Sequence, residues 1–229
     1  MAATDLRVTW PLEVHDGHLI ADIGGTLALV DTGSPLSFGR GGPLSIPGRK
    51  HILKPGLGII TADQIGGFIG TPIDCLVGGD IFQGRVLALD FRCMEITLES
   101  RGTSPGGERV PMRMFLNVPV VPFEMRGRTH QAFLDTGAKV SFLDPELLAG
   151  LEPAGVLDDF LPTLGPFRTD LYKVTLGFGG MEFNLTAGKL PEQIRTAVSA
   201  SGVPNILGTD VMRLLGRITF DYRNGEVVL

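Results

Sequence analysis

The sequence predicts a mainly β protein built from two similar units, and three observations lead there. First, an eleven-residue stretch occurs twice. ALVDTGSPLSF at Ala28–Phe38 and AFLDTGAKVSF at Ala132–Phe142 agree at Ala, Asp, Thr, Gly, Ser and Phe, and exchange apolar for apolar at three more positions. Second, further paired blocks follow each copy in the same order. Third, 32 Gly and 16 Pro, few aromatics and no long amphipathic period describe short strands joined by turns, with helices of only one or two turns.

The elements can be justified in chain order. His18–Ile23 and Thr26–Asp31 flank a Gly24–Gly25 turn, so the first Asp-Thr-Gly closes a hairpin whose last strand, LALV, is apolar enough to be buried. Ala62–Ile65 (ADQI) leads into a short helical stretch, and Pro191–Ile194 (PEQI) repeats it in the second unit. CLVGGDIF at Cys75–Phe82 matches NILGTDVM at Asn205–Met212, with an apolar pair, Gly and Asp in register. LDFRCMEITL at Leu89–Leu98 matches FDYRNGEVVL at Phe220–Leu229. Ser100–Arg109 (SRGTSPGGER) has no apolar residue and reads as a surface linker, which divides the chain into units 1–103 and 104–229. In the second unit, Val118–Met125 and Thr129–Asp135 flank Arg126-Gly127-Arg128 and form the matching hairpin. Leu171–Leu185 (LYKVTLGFGGMEFNL) is a further hairpin with Phe178, Gly179 and Gly180 at its tip. Two copies indicate a bilobal protein; a solenoid needs three or more.

Composition narrows the function. A net charge of −5 and a pI near 5.4 offer no basic face to nucleic acid. The positive mean hydropathy is not concentrated in any run long enough to span a bilayer, and the N-terminal stretch lacks a signal-peptide core, so a cytoplasmic location is expected. Cys75 and Cys93 are expected as free thiols, and two cysteines alone make no metal site. His15 and His18 stand three apart without a companion carboxylate motif, so no metal is expected.

An Asp-Gly after a strand ordinarily means a turn. Two copies in matched settings suggest instead that Asp31 and Asp135 meet across an axis relating the units. Two carboxylates in contact cannot both ionise. They share one proton, and the ionised member can activate a water while the protonated one polarises a carbonyl. Gly33 and Gly137 would let backbone approach the carboxylates, and Thr32 and Thr136 could bond across the axis. The motif pairs resemble those of aspartic peptidases of the pepsin and retropepsin type, with LVGG and ILGT resembling the family's second signature.

That resemblance implies an acid-protease fold of two retropepsin-like β-barrel lobes related by a pseudo-twofold axis. It also implies an aspartic endopeptidase with Asp31 and Asp135 catalytic and with Thr32, Gly33, Ser34, Thr136, Gly137 and Ala138 supporting them. A polypeptide or peptide substrate, no cofactor and a monomeric active unit are expected. The alternative is a catalytically weak peptide-binding or scaffolding module of the same fold. ADIGGT at Ala21–Thr26 also resembles the first phosphate loop of actin-like sugar kinases, a reading that leaves the second Asp-Thr-Gly unexplained.

The chain departs from the family pattern in spacing. Gly78 follows Asp31 by 47 residues and Gly208 follows Asp135 by 73, so the first unit lacks 26 residues in the interval that holds the family's substrate-covering flap. The Leu171–Leu185 hairpin is the expected cover; in the first unit only His51–Ile60 is available. Between the loops, Ser34 faces Ala138. A Ser34 hydroxyl donating to Asp31 would leave Asp31 with the negative charge and Asp135 with the proton.

Overall fold

A computed structural model of the chain describes residues 7–46, 49–100, 106–161, 165–199 and 201–229. Strands take up 52% and helices 13%, so the protein is mainly β. The longest helices, Ala62–Ile69 and Glu192–Ser199, run eight residues, as the missing amphipathic period predicts.

Both expected hairpins are present. His18–Asp22 pairs antiparallel with Leu27–Val30, and Val118–Met125 pairs with Arg128–Leu134. The strands entering the two Asp residues end in buried Ala28, Leu29 and Val30 and in buried Ala132, Phe133 and Leu134. Each hairpin has a third strand that the repeat did not reveal. Arg7–His15 pairs with His18–Asp22 around Asp16–Gly17, whose φ values of 46° and 83° suit the tight turn that matches strand twist. Arg113–Phe115 pairs with Val118–Met125 around Leu116–Asn117 in the same way.

The strands form two large sheets. The ten-stranded sheet runs Arg109–Pro111, Glu226–Val228, Arg217–Asp221, Val86–Asp90, Glu95–Glu99, Arg7–His15, His18–Asp22, Leu27–Val30, Cys75–Val77, Phe38–Gly39. The eight-stranded sheet belongs to the C-terminal half and curls on itself where Glu124 pairs with Gly177. The expected boundary between residues 103 and 104 lies outside the described residues, but the sheets do not part there. Arg217–Asp221 crosses to pair with Val86–Asp90, from Arg217↔Asp90 to Asp221↔Val86. One apolar core accordingly runs through both halves, from Leu12 and Leu87 to Phe123, Phe220 and Val227.

The helix Ala62–Ile69 owes its start to a capping box. Thr61 Oγ1 accepts from Gln64 N–H at 3.2 Å while Thr61 N–H donates to Gln64 Oε1 at 3.0 Å. Gly70 ends it with φ of 73°. Its buried face sets Ala62, Ile65 and Ile69 against Ile20, Leu29, Phe38 and Leu76. This packing builds one wall of the cleft described next.

Candidate active site

The two Asp-Thr-Gly loops are held by matching sets of hydrogen bonds. A short strand passes parallel to each entering strand, with Val30 opposite Val77 and Leu134 opposite Leu207. Asp31 N–H then donates to Val77 O at 3.0 Å, and Asp135 N–H to Leu207 O at 2.9 Å. Beyond those strands Gly79 N–H donates to Ser34 O and Thr209 N–H to Ala138 O, both at 2.9 Å. The serine side chains behind the loops bond in matching pairs as well. Ser37 Oγ accepts from Gly78 N–H (2.8 Å) and donates to Asp80 (2.6 Å); Ser141 Oγ accepts from Gly208 N–H (3.1 Å) and donates to Asp210 (2.8 Å). Sequence reasoning gave these two Ser–Asp pairs no role. Their signal was nevertheless present, because the shared Ser of the first block and the shared Asp of the second are the residues that bond.

The loops meet. Thr32 N–H donates to Thr136 Oγ1 at 2.9 Å and Thr136 N–H to Thr32 Oγ1 at 3.0 Å. Each hydroxyl in turn donates to a carbonyl of the opposite entering strand, Thr32 to Leu134 O and Thr136 to Val30 O, both at 2.7 Å. Both threonines are fully buried. Removing either hydroxyl would strand a buried N–H and a buried carbonyl together.

This lock brings the carboxylates together over the glycines. A methyl group added at Gly137 would lie 2.6 Å from Asp31 Oδ1, and one at Gly33 would overlap the Asp135 carboxyl group. Each carboxylate therefore rests on the glycine of the other loop, a place no larger residue can take. Burial raises the Asp31 pKa well above the ordinary carboxylate value, and the neighbouring Asp135 carboxylate raises it further by charge and by hydrogen bonding. Burial raises Asp135 too, but N–H groups led by that of Gly137, at 2.7 Å, oppose the rise. Backbone N–H groups of Ser34 and Gly33 oppose the rise at Asp31 in the same way, so both members of the pair are held above the ordinary carboxylate range and share a proton.

The hydroxyl bond expected to set the charge within the pair is not made. Ser34 Oγ donates to Leu36 O at 2.8 Å, and what reaches the Asp31 carboxylate is the Ser34 backbone N–H, at 2.9 Å. A backbone donor does not depend on which side chain follows Gly33, so the Ser34/Ala138 difference cannot set the charge.

Asp31, Gly33, Ser34, Asp135, Gly137 and Ala138 open on one cavity of about 220 Å3. Its walls are largely apolar: Leu29, Phe38, Ile65 and Leu76 from the N-terminal half, Phe142 and Ile194 from the C-terminal half. The expected cover is displaced. Phe178 is 1% exposed, and the Phe178–Gly180 turn borders a separate cavity of about 480 Å3 beside Val110 and Phe123 that contains neither carboxylate. Gly179 packs against Leu229.

The reason is that the strand Gly165–Phe178 serves two hairpins. Its far end pairs with Met181–Lys189 and its near end with Gly155–Leu161. At roughly 3.3 Å per residue, Phe178 lies on the order of 35 Å along the strand from Phe167. The near hairpin is the one that reaches the carboxylates, through Asp159, Phe160, Leu161 and Phe167. Phe160 crosses to the other half, where it stacks on Phe68 of the capped helix at 4.7 Å and lies 5.8 Å from the His18 ring. Sequence reasoning missed it because GVLDDFL carries no turn signature, its partner being found only across residues 162–164, which lie outside the described set.

In the N-terminal half, Leu57 and Ile60 of the expected His51–Ile60 segment do line the cavity. His15 and His18 face each other across the Asp16–Gly17 turn, the first exposed and the second buried. Among the described residues no group of three or more His, Cys, Asp or Glu is gathered as a metal site, and no helix is long and apolar enough to cross a membrane. Both cysteines are free. Cys75 is buried, and burial together with Asp74 pushes its thiol up to about 12. No protein-family model matches the chain, and no curated protein matches it at a significant level.

Proposed function

We propose that the chain is an aspartic endopeptidase of the pepsin and retropepsin type, its two halves acting as lobes of an acid-protease fold related by a pseudo-twofold axis. The observation that carries the reading is the reciprocal seating of Asp31 on Gly137 and of Asp135 on Gly33 beneath an apolar cavity. The neutral member of the Asp31–Asp135 pair hydrogen-bonds the substrate carbonyl and the ionised member takes a proton from a water held between them. Water adds to the carbonyl carbon, and the proton then passes to the leaving nitrogen as the C–N bond breaks. The matched loop bonds orient both groups before substrate arrives, which spares reorganisation during the reaction.

The apolar walls favour apolar residues flanking the scissile bond. One chain supplies both carboxylates, so a monomer acting on peptide or polypeptide is the active unit, and the chemistry calls for no cofactor. A second reading, a peptide-binding module with weak or no catalysis, draws support from the closed position of Phe160 against Phe68 and His18 over a cavity of only about 220 Å3. Digestion of a denatured protein mixture across pH, wild type beside Asp31→Asn with cleavage sites read by mass spectrometry, decides between them. New termini between apolar residues in the wild type alone support the peptidase, and identical digests reject it.

A further inference from the structure

Among the polar side chains in the cavity wall that the proposed chemistry does not use, one is a buried imidazole. His18 is 3% exposed, lines the same cavity as Asp31 and Asp135, and among the described residues makes no well-formed hydrogen bond at either ring nitrogen, although the Gly137 backbone stands close enough to raise its pKa. Buried polar atoms without partners are rare in folded proteins because each costs the desolvation it never recovers. The ring is covered by Phe160 of the near hairpin, with centroids 5.8 Å apart. A group admitted to the cavity can supply the hydrogen bonds that the surrounding protein leaves incomplete.

The corresponding position across the pair is different. His18 follows the Asp16–Gly17 turn, where Gly17 packs on Lys139 and its carbonyl accepts from Thr209 Oγ1 at 2.8 Å. Val118 follows the Leu116–Asn117 turn, where Asn117 packs on Gly79 and donates to Pro35 O at 3.2 Å. These neighbours match in the repeat, yet Val118 is apolar and packed in a core cluster with Phe133 and Val203. Only one flank of the cavity carries a hydrogen-bonding ring.

We propose that His18 is a specificity-determining residue whose ring hydrogen-bonds a neutral hydroxyl or carboxamide side chain of a bound peptide, on one side only of the Asp31–Asp135 pair. This rests on the peptide-directed reading of the site. A neutral group is specified by the surroundings: Lys139 stands nearby and disfavours a cation, while Asp16, Asp159 and the Asp31–Asp135 pair disfavour an anion. Burial, then Lys139, pushes the His18 pKa down to about 4, against weaker opposition from Asp16 and the Gly137 backbone; the exposed His15 adds slightly to the fall. Above that pH the ring keeps one donor and one acceptor. A side chain is specified because the ring lies in the cavity wall under Phe160, where a group must be inserted to reach it.

The test uses a peptide library in which each position near the scissile bond carries Asn or Leu, or Thr or Val, pairs alike in shape and different in polarity. Wild type should prefer Asn and Thr at one position by roughly tenfold. His18→Val, which copies Val118, should abolish or invert that preference, and His18→Gln should keep part of it. His18→Val should also raise the Tm of the ligand-free protein, since a stranded polar group is removed. The library is selected in parallel by retention on immobilised Asp31→Asn protein. A His18-dependent preference in retention without wild-type cleavage would reject the peptidase reading and leave this inference standing. The same ranking in wild type and His18→Val, or no peptide retained by Asp31→Asn, overturns it.

Discussion

The Asp31 side and the Asp135 side of the cleft are alike where they hold each other and different where they face a ligand. From the entering strands to the Ser37–Asp80 and Ser141–Asp210 pairs, nearly every hydrogen bond on one side has a counterpart on the other. Toward the cavity the likeness is only partial: Phe38 and Phe142, Ile65 and Ile194, and Leu76 and Ile206 still correspond, but one side adds His18 and Leu57 and the other a hairpin bearing Asp159, Phe160 and Phe167. Reciprocal contacts constrain both partners at once, because a change in either loop must fit the other. The groups that each side adds carry no such reciprocity and are free to differ.

The largest effect expected is on turnover. Asp31→Asn and Asp135→Asn should each lower kcat/KM by about a thousandfold or more, since neither carboxyl group can act alone. A single variant that keeps near wild-type turnover would break the functional equivalence of the two sides. Both variants should also change stability. Each carboxyl group has a folded pKa above its unfolded value, so its charge costs stability above the folded pKa, and that cost disappears below the unfolded one. Asp31→Asn and Asp135→Asn should therefore each raise Tm near pH 8, and the gain should fade as the pH is lowered; calorimetry at several pH values checks the sign.

The two ends of the long strand are separated next. Phe178→Ala should cost about 3–5 kcal/mol of stability in denaturant unfolding, because the ring is fully buried, while leaving KM of the folded protein unchanged. Phe160→Ala should alter KM or kcat with a much smaller stability loss, since the ring is only half-buried and closes the cavity. The reverse pattern would return the covering role to the Phe178–Gly180 turn.

Thr32→Val and Thr136→Val should each cost roughly 2–4 kcal/mol, and by similar amounts, because each removes one accepted and one donated bond from a buried site. The double variant removes four different bonds, but each single variant already loosens the same contact between the loops, so the double should cost less than the two losses added. Full additivity would mean that the loops are held independently.

The smallest effect concerns the charge within the pair. Both limbs of the pH dependence of kcat/KM should lie above the ordinary carboxylate value of 3.8, because burial raises both members of the pair. Ser34→Ala should leave both limbs in place, as its hydroxyl serves Leu36 O. A displaced limb would restore the side-chain account of the asymmetry.

The sequence by itself determined the two Asp-Thr-Gly hairpins, the strands that support them and the inward threonines. All of these rest on local chain geometry and on a repeat in which one copy checks the other. It also contained the Ser37–Asp80 and Ser141–Asp210 pairs as shared letters, although their bonding depends on residues about 43 and 69 positions apart and is invisible along the chain. Only the tertiary structure decided that Gly155–Leu161 rather than Leu171–Leu185 overlies the carboxylates, because a strand paired on both flanks can send either end to the site. It also decided that Arg217–Asp221 completes a sheet of the N-terminal half, that Ser34 Oγ turns from Asp31 to Leu36, and that His18 is enclosed in the cavity wall. Each outcome is a competition among distant groups for the same space or the same hydrogen bond, and such competitions are resolved only when the chain is packed.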